Sequence, residues 1–142
     1  MMRAFAVSML AALLSCSIRG FAAETVSPPA VGSEVANFKF TDCRYLPRQL
    51  SEFGKQNAFV IVFITLDCPI VKRSLPKLKQ LDDDLRDEGV QFLAVNVGPN
   101  DAVVDVAYQA LNAEITFPFA KDFTGQVVKS LGATRTPESV VL

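Results

Sequence analysis

Residues 58–76 run Ala58-Phe59-Val60-Ile61-Val62-Phe63-Ile64-Thr65-Leu66-Asp67-Cys68-Pro69-Ile70-Val71-Lys72-Arg73-Ser74-Leu75-Pro76. The first nine residues are apolar and β-branched without two-residue alternation, which predicts a strand buried on both faces of a largely parallel sheet. The pattern changes at Asp67. Val71, Leu75, Leu78, Leu81 and Leu85 then recur at the three-to-four spacing of an amphipathic helix. Cys68 falls where a central strand ends and a helix begins.

That junction favours negative charge, because the first-turn N–H groups of a helix lack partners and the helix dipole lies behind them. A thiolate is such a charge: a free cysteine titrates near ~8.5, whereas cysteines at helix N-termini can titrate at roughly 3.5 to 7.5. Pro69 suits the first helical position. Lys72, Arg73, Lys77 and Lys79 put cations in the early turns, and Asp82, Asp83, Asp84, Asp87 and Glu88 follow, an order that opposes the dipole. Asp67 acts against the thiolate if it points at the sulfur. Pro76 is expected to kink the helix, and Gly89 to stop it.

Outward from this stretch, residues 1–23 read as an export signal: Arg3 at the start, an apolar stretch from Ala4 to Ile18, and small residues around Gly20 to Ala23. The apolar stretch is short for a membrane span. A second processing route is open, because Leu13-Leu14-Ser15-Cys16 resembles a lipoprotein box that would make Cys16 a lipid-bearing N-terminus. Residues 24–36, with Pro28-Pro29, read as a linker. Removing residues 1–23 takes Arg3 and Arg19 from 14 basic residues and leaves 12 against 15 acidic, a net charge of −3. That balance is no nucleic-acid footprint.

Asn37 to Phe40 is predicted as a short first strand, followed by a turn at Thr41-Asp42-Cys43-Arg44 and an irregular piece to Lys55. Val90 to Val97 reads as a second buried strand. Asp101 to Asn112 reads as a helix capped by Asn100 or Asp101, Phe117 to Asp122 as a connection, Gly125 to Leu131 as a short helix, and Ser139 to Leu142 as a strand. Strands alternating with helices imply a parallel or mixed α/β sheet.

Of three cysteines, Cys43 and Cys68 lie outside the leader, and histidine is absent. Two cysteines make no disulfide scaffold. They also fall short of a soft-metal site, so no metal or other cofactor is expected. Cys43 reads as an unpaired loop cysteine or as a thiol that resolves oxidised Cys68, which needs the α-carbons within about 7 Å.

The stretch around Cys68 resembles the active-site strand and helix of extracytoplasmic thioredoxin-like oxidoreductases and of the related alkyl hydroperoxide reductase and thiol-specific antioxidant (AhpC/TSA, peroxiredoxin-like) group. In the former, a strand ending in Phe precedes Cys-Pro-x-Cys, a basic residue and Leu-Pro. Here Phe63, Cys68-Pro69-Ile70, Lys72 and Leu75-Pro76 stand at that spacing, with Val71 in place of the second cysteine. Thr65-Leu66-Asp67-Cys68 matches the second half of the peroxiredoxin pattern Pro-x-x-x-Thr-x-x-Cys, with Ile61 in place of its proline.

The resemblance implies an α/β thioredoxin-like three-layer sandwich over residues 37–142, with a mixed central sheet. Because the family continues past this point with a further strand and helix, the domain is read as truncated at Leu142. The absence of histidine argues against the related copper-binding Sco-type proteins. Most X-Pro bonds are trans, whereas the resemblance implies a cis Pro137 beside the catalytic cysteine. Pro69, Thr136 and Pro137 would then bind substrate, and Cys68, Thr65 and Arg135 would carry catalysis.

The implied activity is that of an exported thiol oxidoreductase. Cys68 would reduce hydroperoxides or exchange with protein or low-molecular-weight disulfides, in an antioxidant or thiol-redox role. With Val71 in the motif, resolution falls to Cys43, a second chain or an external thiol reductant. The alternative is a redox-inactive thioredoxin-like binding or scaffold module, since a lone cysteine is often a small hydrophobe. Contact with a membrane is expected only through a lipid on Cys16.

Overall fold

The computed structural model describes residues 28–142. The expected export signal and Cys16 lie outside the described residues. In chain order the elements are β1 (Lys39–Asp42), β2 (Pro47–Gln49), a 3₁₀ turn (Leu50–Phe53), β3 (Ala58–Ile64), α1 (Pro69–Leu85), a second 3₁₀ turn (Arg86–Glu88), β4 (Val90–Asn96), α2 (Val103–Asn112), β5 (Phe119–Lys121), α3 (Gln126–Leu131) and β6 (Glu138–Val141). They build one six-stranded mixed sheet in the order β2-β1-β5-β4-β3-β6.

β3 sits inside the sheet because both its faces are apolar. It runs parallel to β4 from Ala58 opposite Val90 to Ile64 opposite Asn96. On its other side β6 is antiparallel, with Val60 opposite Val141 and Phe63 opposite Glu138. Successive side chains of a strand point to opposite faces. Accordingly Ile61 and Phe63 join Phe38, Phe40, Leu93, Val95 and Ala120 under α3, whose Val127 and Leu131 close that layer. Val62 and Ile64 join Phe92, Ala94, Phe117 and Phe119 under α1 and α2, through Val71, Leu75 and Val106. The result is the three-layer α/β/α arrangement that the resemblance implied.

α1 starts at Pro69 and continues through Pro76. Gly89, in the left-handed conformation at φ 76°, ends the 3₁₀ turn that follows, a backbone position that suits glycine. Among the described residues, no helix is long and apolar enough to cross a membrane.

Four local expectations shift. β1 extends through Thr41 and Asp42 instead of turning there, because the Asp42 carboxylate accepts the N–H of Arg44 at 2.8 Å and of Leu46 at 3.0 Å and so moves the turn onward. The irregular piece that follows contains β2. The connection at Phe117–Asp122 contains β5, which pairs parallel with β4 from Ala94 opposite Phe119 to Asn96 opposite Lys121. α2 is capped at Ala102, not at Asn100 or Asp101, and the Asp101 carboxylate turns instead to the neighbouring β3–α1 loop.

Asp42 gives a pH prediction. Burial would push its carboxyl up, but the hydrogen bonds from Leu46 and Arg44, with the charge of Arg44, hold it below the usual carboxylate range. A depressed folded value means stability that is present above the unfolded value near ~3.9 and is lost as pH falls through the folded one. Asp42→Asn is expected to cost about 1–3 kcal/mol at pH 7. The gap between variant and parent urea midpoints is expected to narrow at pH 3, and a constant gap would refute the assignment.

Candidate active site

Cys68 is the N-cap of α1, with extended backbone (φ −71°, ψ 115°) and Pro69 directly after it. Its carbonyl accepts the Lys72 N–H at 3.2 Å, which begins the helical ladder. The Cys68 side chain makes no capping bond to α1. Its sulfur instead lies 3.7 Å from the Thr136 carbonyl oxygen, placed to donate to it.

The bond from Thr136 to Pro137 is cis, as the resemblance implied and against the general expectation of trans. The segment is brought to Cys68 by the antiparallel pairing of β6 on β3. Thr65, just past β3, meets the same segment through its hydroxyl, 3.2 Å from that of Thr136. Thus Thr65, Cys68, Thr136 and Pro137 converge. Cys68, Thr65, Thr136 and Pro137 are half-buried, and Pro69 and Ile70 are exposed, so the sulfur sits at a surface step.

On the α3 side of this step is a cleft of about 400 Å³ lined by Phe63, Thr65, Asp122, Val128, Arg135 and Thr136, among others. Arg135 reaches the rim only. Its side chain is exposed, and its backbone N–H donates to Glu138 Oε2 at 3.2 Å. Glu138 also accepts the Thr134 N–H at 2.8 Å. That bond, more than the others, holds the Glu138 carboxyl below its ordinary range. The carboxylate thereby pins the turn that presents Thr136.

Val71, at the place of a second motif cysteine, is 1% exposed and packed into the α1–α2 core layer. A second sulfur here would be inside the protein, not on its surface.

Cys43 is elsewhere. It follows β1, and its sulfur lies 3.2 Å from the Phe119 carbonyl oxygen, placed to donate to it. Burial, and then the neighbouring Asp42 charge, push its thiol up. β5 and β4 separate β1 from β3, and three interstrand steps of 4.7–4.9 Å make about 14 Å, twice what a disulfide spans. Both thiols are free, and the arrangement does not bring them together.

Among the described residues, no group of three or more Cys, Asp or Glu is placed to hold a metal ion. Sequence reasoning missed a buried polar line behind the site. Lys121, Asn96 and Asp101 connect through hydrogen bonds to the Leu66 N–H, two residues before the sulfur. Its one visible signal was a lysine between Phe119-Ala120 and Asp122.

The AhpC/TSA family model matches residues 31–142. Among curated proteins, the thiol-disulfide oxidoreductase ResA of Geobacillus kaustophilus (strain HTA426) is 28% identical over 113 residues, 80% of this chain and 63% of the relative. ResA of Bacillus cereus (strain ATCC 10987 / NRS 248) is 24% identical over 112 residues, 79% of this chain and again 63% of the relative. The chain thus spans just under two thirds of the length of these curated relatives. Among solved structures, an uncharacterized conserved protein of Geobacillus kaustophilus superposes with a TM-score of 0.72 at 27% identity, covering 83% of this chain and 64% of that one. StoA of Bacillus subtilis superposes with a TM-score of 0.61 at 22% identity, covering 77% of this chain and 81% of its own. At that identity the second likeness speaks for the fold alone.

Proposed function

The chain belongs to the AhpC/TSA family and has a thioredoxin-like fold, and from this premise we propose that it is a thiol-dependent oxidoreductase working through one cysteine, Cys68. One observation carries the reading: the sulfur at the α1 N-cap lies 3.7 Å from the Thr136 carbonyl, at a half-buried step beside exposed Pro69 and Ile70.

Disulfide exchange is the reading that this geometry supports best. The Cys68 thiolate attacks one sulfur of a substrate disulfide, a mixed disulfide forms, and the other sulfur leaves as a thiolate. The first-turn amides of α1 favour the attacking charge. The edge at Thr136-Pro137 offers backbone groups to an extended substrate chain. Since Val71 has no sulfur and Cys43 is three strands away, an external thiolate attacks the mixed disulfide and regenerates Cys68. Protein disulfides and low-molecular-weight disulfides are the substrate class, and a small thiol or a second protein is the reductant. On this reading residues 1–23 direct the chain out of the cytoplasm, through cleavage near Ala23 or a lipid on Cys16.

A second reading is hydroperoxide reduction, favoured by the Thr65 hydroxyl on the wall of the adjoining cleft. There the thiolate attacks the terminal oxygen of the hydroperoxide, the O–O bond breaks, the sulfur becomes a sulfenic acid, and the second oxygen leaves and takes a proton from solvent as alcohol or water. Arg135, exposed at the rim, is the one cation among the described residues that line the cleft.

The test is adduct formation on the folded full chain. With oxidised glutathione, peptide mass mapping is expected to place one glutathione on Cys68, removable by added thiol. With hydrogen peroxide, a sulfenic-acid probe reports the second reading. If Cys68 stays unmodified by both, while the urea-unfolded chain reacts, the inert scaffold is the correct description.

A further inference from the structure

We propose that Lys121 is a positioning residue for Cys68, acting through Asn96 and Asp101 on the loop that carries the sulfur. The inference rests on Cys68 being the reactive thiol. Its geometry, however, involves residues to which the resemblance assigned no role.

Lys121 is 4% exposed, and burying an ammonium is costly unless its donors are matched. Its Nζ donates to Asn96 Oδ1 at 2.8 Å and to the Gly98 carbonyl. Among the described residues it has no carboxylate within ion-pair distance. Burial pulls its ammonium down from the ordinary lysine range, opposed by the charges of Asp101 and Asp122.

Asn96, fully buried, is used at both ends of its amide: the oxygen accepts from Lys121, and the nitrogen donates to Asp101 Oδ2 at 2.7 Å. The same Asp101 oxygen accepts the Leu66 N–H at 2.9 Å. A Cβ on Gly98 would stand 2.1 Å from that oxygen, so the carboxylate sits directly over glycine backbone. The line therefore runs from β5 through β4 and the β4–α2 loop to Leu66. It carries a positive charge at one end and a negative charge at the other, under the loop that delivers Cys68.

Two residues span at most about 7 Å. Asp101 therefore holds the loop of the sulfur through Leu66 and places its charge on that loop. Lys121 offsets that charge. The other charged groups on the elements meeting here are Asp122 beside Lys121, Asp105 in the first turn of α2, Asp67 and Lys72 on either side of Cys68, and Arg135 and Glu138 on the turn whose Thr136 carbonyl meets the sulfur.

The experiment follows the rate of Cys68 alkylation by iodoacetamide across pH in the folded full chain, read by peptide mass mapping. This readout needs no turnover. Failure of the redox reading would appear in the adduct assay, and failure of the present inference only here. Lys121→Met leaves Asp101 uncompensated, so the pH profile is expected to move up by about one pH unit, with about tenfold slower alkylation on its rising limb. Asp101→Asn keeps an acceptor oxygen but removes the charge, and its profile is expected to move down. The double variant is expected to return to within about threefold of the parent.

A packing role would destabilise all three proteins without moving the profiles in opposite senses. Should Lys121→Met fail to fold, Asp101→Asn and the double variant still decide. Unmoved profiles, or single variants moving the same way, would overturn the proposal.

Discussion

Cys68→Ser is expected to lower disulfide exchange by at least about a thousandfold, to the background of the assay, while leaving the protein as stable as the parent or slightly more so. The chemical half follows from the nucleophile. A serine hydroxyl is not ionised near neutral pH, the site offers no histidine to activate it, and an activated nucleophile is what covalent catalysis requires. The structural half follows from position. Cys68 is the N-cap of α1 without a capping bond from its side chain, and serine is among the preferred N-cap residues. The hydroxyl can accept a first-turn N–H that the thiol leaves unpaired. Activity and stability thus separate in one variant, measured as exchange with a low-molecular-weight disulfide and as the thermal midpoint. Cys43→Ser is the companion: three strands away, it is expected to keep exchange within about twofold. If Cys68→Ser kept the parental rate, or Cys43→Ser abolished it, the assignment of the nucleophile would fail.

Much of this fold could be read from the sequence because its two central strands carry a strong signal. Ala58–Ile64 and Val90–Asn96 are apolar on both faces, and both lie inside the sheet. Amphipathic spacing likewise marked α1, where Val71 and Leu75 are the buried apolar positions. The failures share a physical cause: each depended on partners distant in sequence. β5 has three residues, too few for any periodicity, and is a strand because β4 and β1 pair with it on either side. Asp101 looked like a helix cap because carboxylates usually are; the Leu66 N–H and Asn96 drew it away. The site divided along the same line. Cys68 was marked by strand, helix and proline together, and Thr136-Pro137 by the resemblance, but the separation of Cys43 from Cys68 depends on strand order, which no local pattern encodes. Lys121 within an apolar segment looked like part of a connection, although it is buried and its ammonium donates to Asn96 and the Gly98 carbonyl.

Val71→Cys is expected to convert the single-cysteine cycle into an intramolecular one. Val71 is three residues after Cys68 in the first turn of α1, and side chains at that spacing stand about 5–6 Å apart between β-carbons, close to the 3.5–4.5 Å of a disulfide. Cys68 lies outside the helical backbone at the N-cap, so closing the remaining gap falls on a residue whose dihedral angles are not fixed by the ladder. The site tolerates the change: Val71 is buried among apolar side chains, cysteine behaves as a small hydrophobe, and the loss of about one methyl costs roughly 1 kcal/mol. The effect on chemistry is larger. A thiol held beside the mixed disulfide acts at an effective concentration of about millimolar or more; against about ten micromolar external thiol, the adduct on Cys68 is expected to vanish at least about a hundredfold faster. The expected end state is an oxidised chain lighter by two hydrogens, with no dependence on external thiol for the first release. Stopped-flow mixing followed by acid quench and intact mass measures both. An adduct that persists as long as in the parent would mean that the two side chains do not share one intermediate, and that Cys68 projects away from the first turn of α1, contrary to the geometry on which the proposed exchange rests.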